Sequence, residues 1–141
     1  VSGIHAPIKY TLHEKNTENG ITEYTSSEPT NDPQWGLLSA INLSTGKIQW
    51  QYKTPQPLVG GTLSTKGGLV FLGEGNGNFN AIDAASGALL WQTYIDAGVN
   101  APPITYLIDG EQYIAVAAGG NKIMGFSQGD YISVYKLPKA E

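Results

Sequence analysis

The chain of 141 residues contains no cysteine, which excludes a disulfide, a thiolate nucleophile and any cysteine-ligated metal, and leaves the redox compartment unreadable. It contains no arginine either: its eight basic residues are all lysines, set against twelve acidic ones for a net charge of −4. A nucleic-acid surface needs a basic patch and is best built from bidentate guanidinium forks, so that partner is excluded. Charged residues make up only 14% of the chain, yet no apolar run reaches the roughly 18 residues of a membrane helix. The sequence opens at Val1 without a signal-peptide pattern; a mature product and an internal piece of a longer protein read alike. Helical periodicity is missing too, since no window keeps apolar residues at the helical spacing for long enough.

What the chain does have is glycine and proline, 18 and 8 of them, in a 40% hydrophobic background. That is the make-up of one turn-rich, all-β domain. It also has a repeat. The phrase Ala40-Ile-Asn-Leu-Ser-Thr-Gly-Lys-Ile-Gln-Trp50 returns as Ala81-Ile-Asp-Ala-Ala-Ser-Gly-Ala-Leu-Leu-Trp91, with Ala40 and Ala81, Gly46 and Gly87, and Trp50 and Trp91 each 41 residues apart. A period of that size belongs to propeller blades and to two-helix solenoid units. The local pattern chooses strands: Phe79, Ala81 and Asp83 alternate with Asn80 and Ile82, and Leu89, Trp91 and Thr93 with Leu90 and Gln92. Between the strands, Asn42 to Gly46 and Asp83 to Gly87 carry turn chemistry. The Asx side chain accepts from the backbone two residues on, and glycine takes the positive-φ position.

Residues 1–35 are a polar, irregular lead-in with one strand expected at Ala6 to Leu12 and a loop from Thr25 to Gln34. Residues 36–141 carry the regular rhythm. Strands are expected at Leu37 to Asn42, Lys47 to Lys53, Gly60 to Thr65, Leu69 to Gly73, Phe79 to Asp83, Leu89 to Ile95, Pro103 to Ile108, Tyr113 to Ala117 and Tyr131 to Leu137. Four short strands per repeat make one propeller blade. The chain therefore holds a half blade, a full blade and a three-stranded blade, about two and a half blades of a partial β-propeller. Such a set cannot close a ring and would expose apolar faces and strand edges. A piece of a longer protein, or one partner of an assembly, is expected, with the last blade completed by a strand from elsewhere, commonly the chain's own N-terminal end.

Several further stretches carry a family resemblance. The repeated tryptophan phrase, Gly60-Gly-Thr-Leu-Ser-Thr-Lys-Gly-Gly-Leu-Val-Phe-Leu-Gly73, Pro103-Ile-Thr-Tyr-Leu-Ile-Asp-Gly-Glu-Gln-Tyr-Ile-Ala-Val116 and Gly119-Gly120 occur in an order that resembles the C-terminal blades of PQQ-dependent quinoprotein dehydrogenases. The ending Gly129-Asp-Tyr-Ile-Ser-Val-Tyr-Lys-Leu-Pro138 is most similar to the membrane glucose and quinate type, with the alcohol and methanol branches also similar. The resemblance covers residues 35 to 138. It implies an eight-bladed ring with PQQ on its axis, a Ca²⁺ or similar hard cation polarising a quinone carbonyl, a carboxylate base, an alcohol or sugar substrate and a periplasmic setting. Metal ligands and base belong to earlier blades, so neither a catalytic nor a metal-binding residue is expected in this chain, whose partners would be the remaining N-terminal blades or a companion chain. Trp50 and Trp91 would be docking residues between adjacent blades, each stacked on the glycine turn next door with its indole N–H given to a main-chain carbonyl. A non-catalytic propeller similar to the outer-membrane assembly lipoproteins, presenting loops to protein partners, is the alternative; an autonomous small binding module is a third.

The candidate site residues lie on two loops, Thr54 to Gly61 and Ala117 to Gly129. In the methanol dehydrogenases the residue before the Gly-Gly-Thr-Leu-Ser-Thr stretch is a Trp packed near PQQ. Here it is Val59, a departure that argues against a close methanol-type site and leaves Val59 and Gly60 as small neighbours of the cofactor. Gly119 and Gly120 would let the backbone approach a planar ligand, or are plain turn glycines. Asn121 to Phe126 would contribute to a substrate mouth. Asp83, Asp109 and Asp130 read as turn caps rather than acids. Glu74, in the loop Gly73-Glu-Gly-Asn-Gly77, reads first as a solvated carboxylate, with a cation ligand as the competing role. His5 and His13 read as surface residues. The glycine-rich stretches lack the strand-to-helix setting of a phosphate-binding loop. Asn42-Leu-Ser44 matches a glycosylation sequon by chance.

Overall fold

The computed structural model describes residues 1–11 and 26–136. His13, and the last residues of the strands expected at Ala6 to Leu12 and Tyr131 to Leu137, lie outside the described residues. Every regular element described is a strand: β1 (Ser2–His5), β2 (Ile8–Thr11), β3 (Ser26–Pro29), β4 (Trp35–Ile41), β5 (Ile48–Thr54), β6 (Thr62–Ser64), β7 (Leu69–Gly73), β8 (Asn78–Asp83), β9 (Leu89–Tyr94), β10 (Ile104–Ile108), β11 (Glu111–Ala118) and β12 (Tyr131–Lys136). They form four antiparallel sheets: three large ones in chain order, the first β1-β4-β5, the second β6-β7-β8-β9 and the third β10-β11-β12, and the separate pair β2-β3.

The four-stranded meander is the middle layer, and its side chains follow the two-residue period of a strand buried on both faces. Val70, Leu72 and Ile82 pack with Leu38, Leu58, Trp50 and Tyr52 of the first sheet and its following loop. Leu69, Phe71, Phe79 and Ala81 face the other way, onto Ile114, Val116, Ala118 and Tyr135 of the third sheet. Phe79 and Ile82 are wholly buried, and each such side chain contributes roughly 1.5–3 kcal/mol. The repeat is visible in the register: the pairing slips at Ala40/Ile41 and again at Ala81/Ile82, one residue before each Asx turn.

The lead-in departs from expectation. It contributes three short strands where one was expected, and β3 lies within the stretch expected to be a loop. β1 pairs with β4 through Ser2↔Leu38 to His5↔Trp35, and Val1 and Ser39 exchange two further hydrogen bonds. The first unit thus has three strands rather than two. The N-terminal strand joins that unit and not the third sheet, where a completing strand was expected. Pairing to a sheet edge uses main-chain groups alone, so a segment such as Ser-Gly-Ile-His needs no apolar alternation to do it.

Candidate functional site

An antiparallel meander returns to the same end at every second connection, which divides this molecule into two unlike ends. One carries the Asx turns. Asn42 Oδ1 accepts from the backbone N–H of Ser44 and Thr45 at 2.9 and 3.1 Å, and Asp83 Oδ1 from those of Ala85 and Ser86 at 3.1 and 2.7 Å. The Asp83 carboxyl is held below its ordinary value, chiefly by the Ser86 hydroxyl and then by the Ser86 backbone N–H. Asp109 is in the β10–β11 turn at this end, at φ 51°. Trp50 Nε1 donates to the Ala84 carbonyl at 2.9 Å, and its ring lies where a methyl carbon on Gly87 would be, 2.7 Å away. Gly87 sits at φ +77°, so glycine is required there twice over. Trp91 is placed differently from expectation. It remains 40% exposed, packs edge-on to Phe79 and Tyr135, and its indole N–H has no acceptor among the described residues.

The opposite end gathers the longer connections, residues 55–61, 74–77, 95–103 and 119–130. Main-chain bonds tie three of them together: Val99 N–H donates to the Glu74 carbonyl, Gly98 N–H to that of Ser127 and Gly120 N–H to that of Gly98, each at 2.9 Å. The fourth joins by close approach, since a methyl on Gly60 would lie 2.9 Å from the Asn100 carbonyl oxygen and one on Gly61 2.9 Å from Pro102 Cβ. Beside this contact the Asn100 side-chain Nδ2 is buried with no acceptor among the described residues. Gln56 Oε1, on the 55–61 loop, is a buried acceptor likewise without a donor among them. Unmet buried groups of this kind cost about 1–3 kcal/mol.

Glu74 is the residue whose reading changes most. It is 2% exposed, not a solvated loop carboxylate. Oε1 accepts from Asn80 Nδ2 and, at 3.5 Å, from the Tyr52 hydroxyl; Oε2 accepts from Asn76 Nδ2 at 3.1 Å. Asn80 Oδ1 in turn accepts from Gln92 Nε2 at 2.8 Å. Burial, and then the neighbouring Glu74 carboxylate, hold the Tyr52 phenol above its ordinary value. The sequence hid this because the donors come from β5, β8 and the turn, and only their convergence closes the space over the carboxylate.

The expected site residues divide between these loops. Val59 and Gly60 are half-buried on the 55–61 loop; Gly119 is exposed and Gly120 half-buried on the 119–130 loop. The two pairs are linked through residues 98–100. Gly120 has φ +72° and packs where a side chain would strike the Ser127 carbonyl, so it has a turn role of its own. Asp130 is exposed at this end. His5 stacks on Trp35 with ring centroids 4.8 Å apart. A cavity of about 370 Å³ is lined by Ala6, Pro7, Ile8, Gln34, Ile123 and Met124, so the lead-in and the stretch Asn121 to Phe126 share a largely apolar wall. Among the described residues no group of three His, Asp or Glu side chains could hold a metal ion.

Comparison with known proteins places this geometry. The β-propeller domain of glucose/ethanol/alcohol dehydrogenases, the PQQ domain, matches residues 7–114. Over 130 residues the chain is 35% identical to the quinoprotein glucose dehydrogenase of Escherichia coli K12, covering 78% of this chain and 16% of that protein. Over 105 residues it is 43% identical to quinoprotein alcohol dehydrogenase PedE of Pseudomonas putida KT2440, covering 74% and 17%. The chain spans about one sixth of the length of these relatives. The crystal structure of quinohemoprotein alcohol dehydrogenase from Comamonas testosteroni superposes on 99% of this chain and 25% of its own with a TM-score of 0.76 at 23% identity, a likeness of fold alone.

Proposed function

This chain belongs to the PQQ-dependent glucose/ethanol/alcohol dehydrogenase β-propeller family, and on that premise we propose that it forms C-terminal blades of a longer quinoprotein dehydrogenase that oxidises alcohols or sugars in the periplasm, its loop end being part of the wall around the cofactor. The partner of these blades is the rest of that ring. Two features support a ring: the third sheet turns Ile104, Ile108, Ile132 and Val134 outward, all at least half exposed, and among the described residues the Trp91 indole has no neighbouring Asx-to-Gly turn such as Trp50 has.

The observation that carries the cofactor reading is the meeting of Gly60 and Gly120 at residues 98–100, which gathers backbone without side chains at the loop end. PQQ is a planar quinone, and side-chain-free backbone lets such a ring approach closely. When bound, PQQ supplies the two-electron acceptor for oxidation of the substrate alcohol. The part of this chain is to position and to exclude water. Val59 offers an apolar surface, Gly60 and the Gly119-Gly120 pair close backbone approach, and Ile8, Ile123 and Met124 an apolar lining for the substrate's carbon skeleton. The described residues do not form a site for the hard cation, taken to be Ca²⁺; its ligands and the base are placed in the earlier blades. Titration of the purified chain with PQQ, followed by tryptophan fluorescence, tests the wall. Saturable quenching that is weakened by Gly60→Val supports it, and no quenching at protein-saturating PQQ contradicts it.

A further inference from the structure

The loop end holds a buried carboxylate that the proposed chemistry does not use. Glu74 has no cationic partner among the described residues, and its three side-chain donors, Asn76, Asn80 and Tyr52, are all neutral. The backbone fixes one of them: Asn76 Oδ1 is taken by the N–H of Asn78 at 3.0 Å, which leaves only its Nδ2 to face Glu74. Asn80 Oδ1 is taken by the Gln92 amide, so its Nδ2 faces Glu74 unless Asn80 and Gln92 reverse together. In this arrangement Glu74 accepts on both oxygens at once, which a carboxylate does and an amide cannot. A half-satisfied buried network is worse than none, so Glu suits these surroundings better than Gln.

The main chain of the same residue carries the loop end. Its carbonyl accepts from Val99 N–H at 2.9 Å and from Gly77 N–H at 3.2 Å. Val99 is flanked by Gly98, which holds the 119–130 loop through Ser127 and Gly120, and by Asn100, which meets Gly60. Tyr52 brings in the first sheet. Two of the three large sheets and all four loops are thus referenced to one residue.

We propose that Glu74 is the positioning residue of the cofactor wall: its carboxylate, locked by Asn76, Asn80 and Tyr52, fixes the turn whose carbonyl sets residues 98–100 against Gly60 and Gly120. This rests on the cofactor reading above for its purpose, and on the hydrogen bonds alone for its mechanics.

The test is a polarity exchange. Glu74→Gln sets an amide N–H against the Asn76 donor or against Asn80 Nδ2, a conflict relieved only if Asn80 and Gln92 both reverse. Glu74→Gln combined with Asn76→Asp restores every bond, because the introduced amide then donates to a carboxylate that still receives the Asn78 N–H. Amide hydrogen exchange is measured on the full chain, with PQQ quenching measured on the same samples. Glu74→Gln is expected to speed exchange at Val99 and Gly120 by roughly tenfold or more, with Phe71 and Ile82 unchanged, and to weaken PQQ binding by a similar factor. The double variant is expected to recover both. Should Glu74→Gln fail to fold, Asn76→Asp alone places two carboxylates together and is read in the same way. Exchange at Val99 and Gly120 no faster than in the unaltered chain, or no recovery in the double variant, overturns the clamp whatever PQQ does. Loss of the clamp without change in PQQ affinity overturns its positioning role. An unaltered chain that PQQ does not quench overturns the cofactor reading instead, and exchange still decides the clamp.

Discussion

The indole N–H of Trp50 reaches the carbonyl of Ala84 across 2.9 Å while its ring covers Gly87, so one copy of the repeated phrase is anchored on the turn of the next. Gly87→Ala meets two obstacles, a left-handed φ of +77° and a ring 2.7 Å from the added carbon. A loss of roughly 2–4 kcal/mol is expected, read as a lower urea midpoint. Gly46→Ala, at φ +68° but with nothing near the added carbon, is expected to cost only the backbone part, about 1–2 kcal/mol.

The two Asx turns form a natural pH control. Asp83 has its carboxyl pKa lowered from 3.8 by hydrogen bonds from Ser86. A lowered pKa adds stability at pH values above the ordinary one and loses it as pH falls through the lowered one. Asp83→Asn, which copies Asn42, is expected to keep the turn and flatten the acid limb of stability below about pH 4. An unchanged acid limb in thermal melts would show that other carboxylates dominate it.

Asn100 carries an unmet buried donor. Asn100→Leu replaces it with an apolar side chain of similar size, so stability is expected to hold or to rise by about 1–2 kcal/mol. Thermal melts check this, and a variant less stable than the unaltered chain would show that the amide is satisfied in the folded protein.

The outward face of the third sheet is expected to drive self-association of the chain. Ile132, 79% exposed, and Val134, 51% exposed, belong to the edge strand β12, and their replacement by lysine is expected to lower the sedimentation-averaged mass at high concentration. Little change in unfolding should accompany it, because neither side chain is buried.

How much of this was legible in the sequence depends on how local each signal is. The strands from Trp35 onward follow from period-two alternation and turn residues, and the strand expected at Leu69 to Gly73 has those bounds in the structure. The seating of Trp50 on the glycine turn of the next copy was implied by the family resemblance rather than by the spacing of the repeat. The lead-in could not be read, because β1 and β3 are held by main-chain pairing to other strands rather than by a pattern of their own. Glu74 misled for the complementary reason. A carboxylate among three glycines has the local composition of a solvated loop, and its burial is made by Tyr52, Asn80 and the turn acting together. Trp91 shares the phrase of Trp50 but not its environment, since no third copy of the Asx-to-Gly turn follows it among the described residues. Val59, Gly60, Gly119 and Gly120 could be assigned to loops, whereas the Asn100 link between them is a tertiary fact.

A native mass spectrum of the protein as isolated from its source tests the central claim most directly, because it reports companion chains and retained cofactor together. Blades of a quinoprotein ring should appear within, or bound to, a larger polypeptide carrying the added mass of PQQ and one metal ion. A bare monomer of 15.0 kDa with nothing bound, still cooperative in unfolding, would contradict the placement of this chain in the wall of a cofactor site.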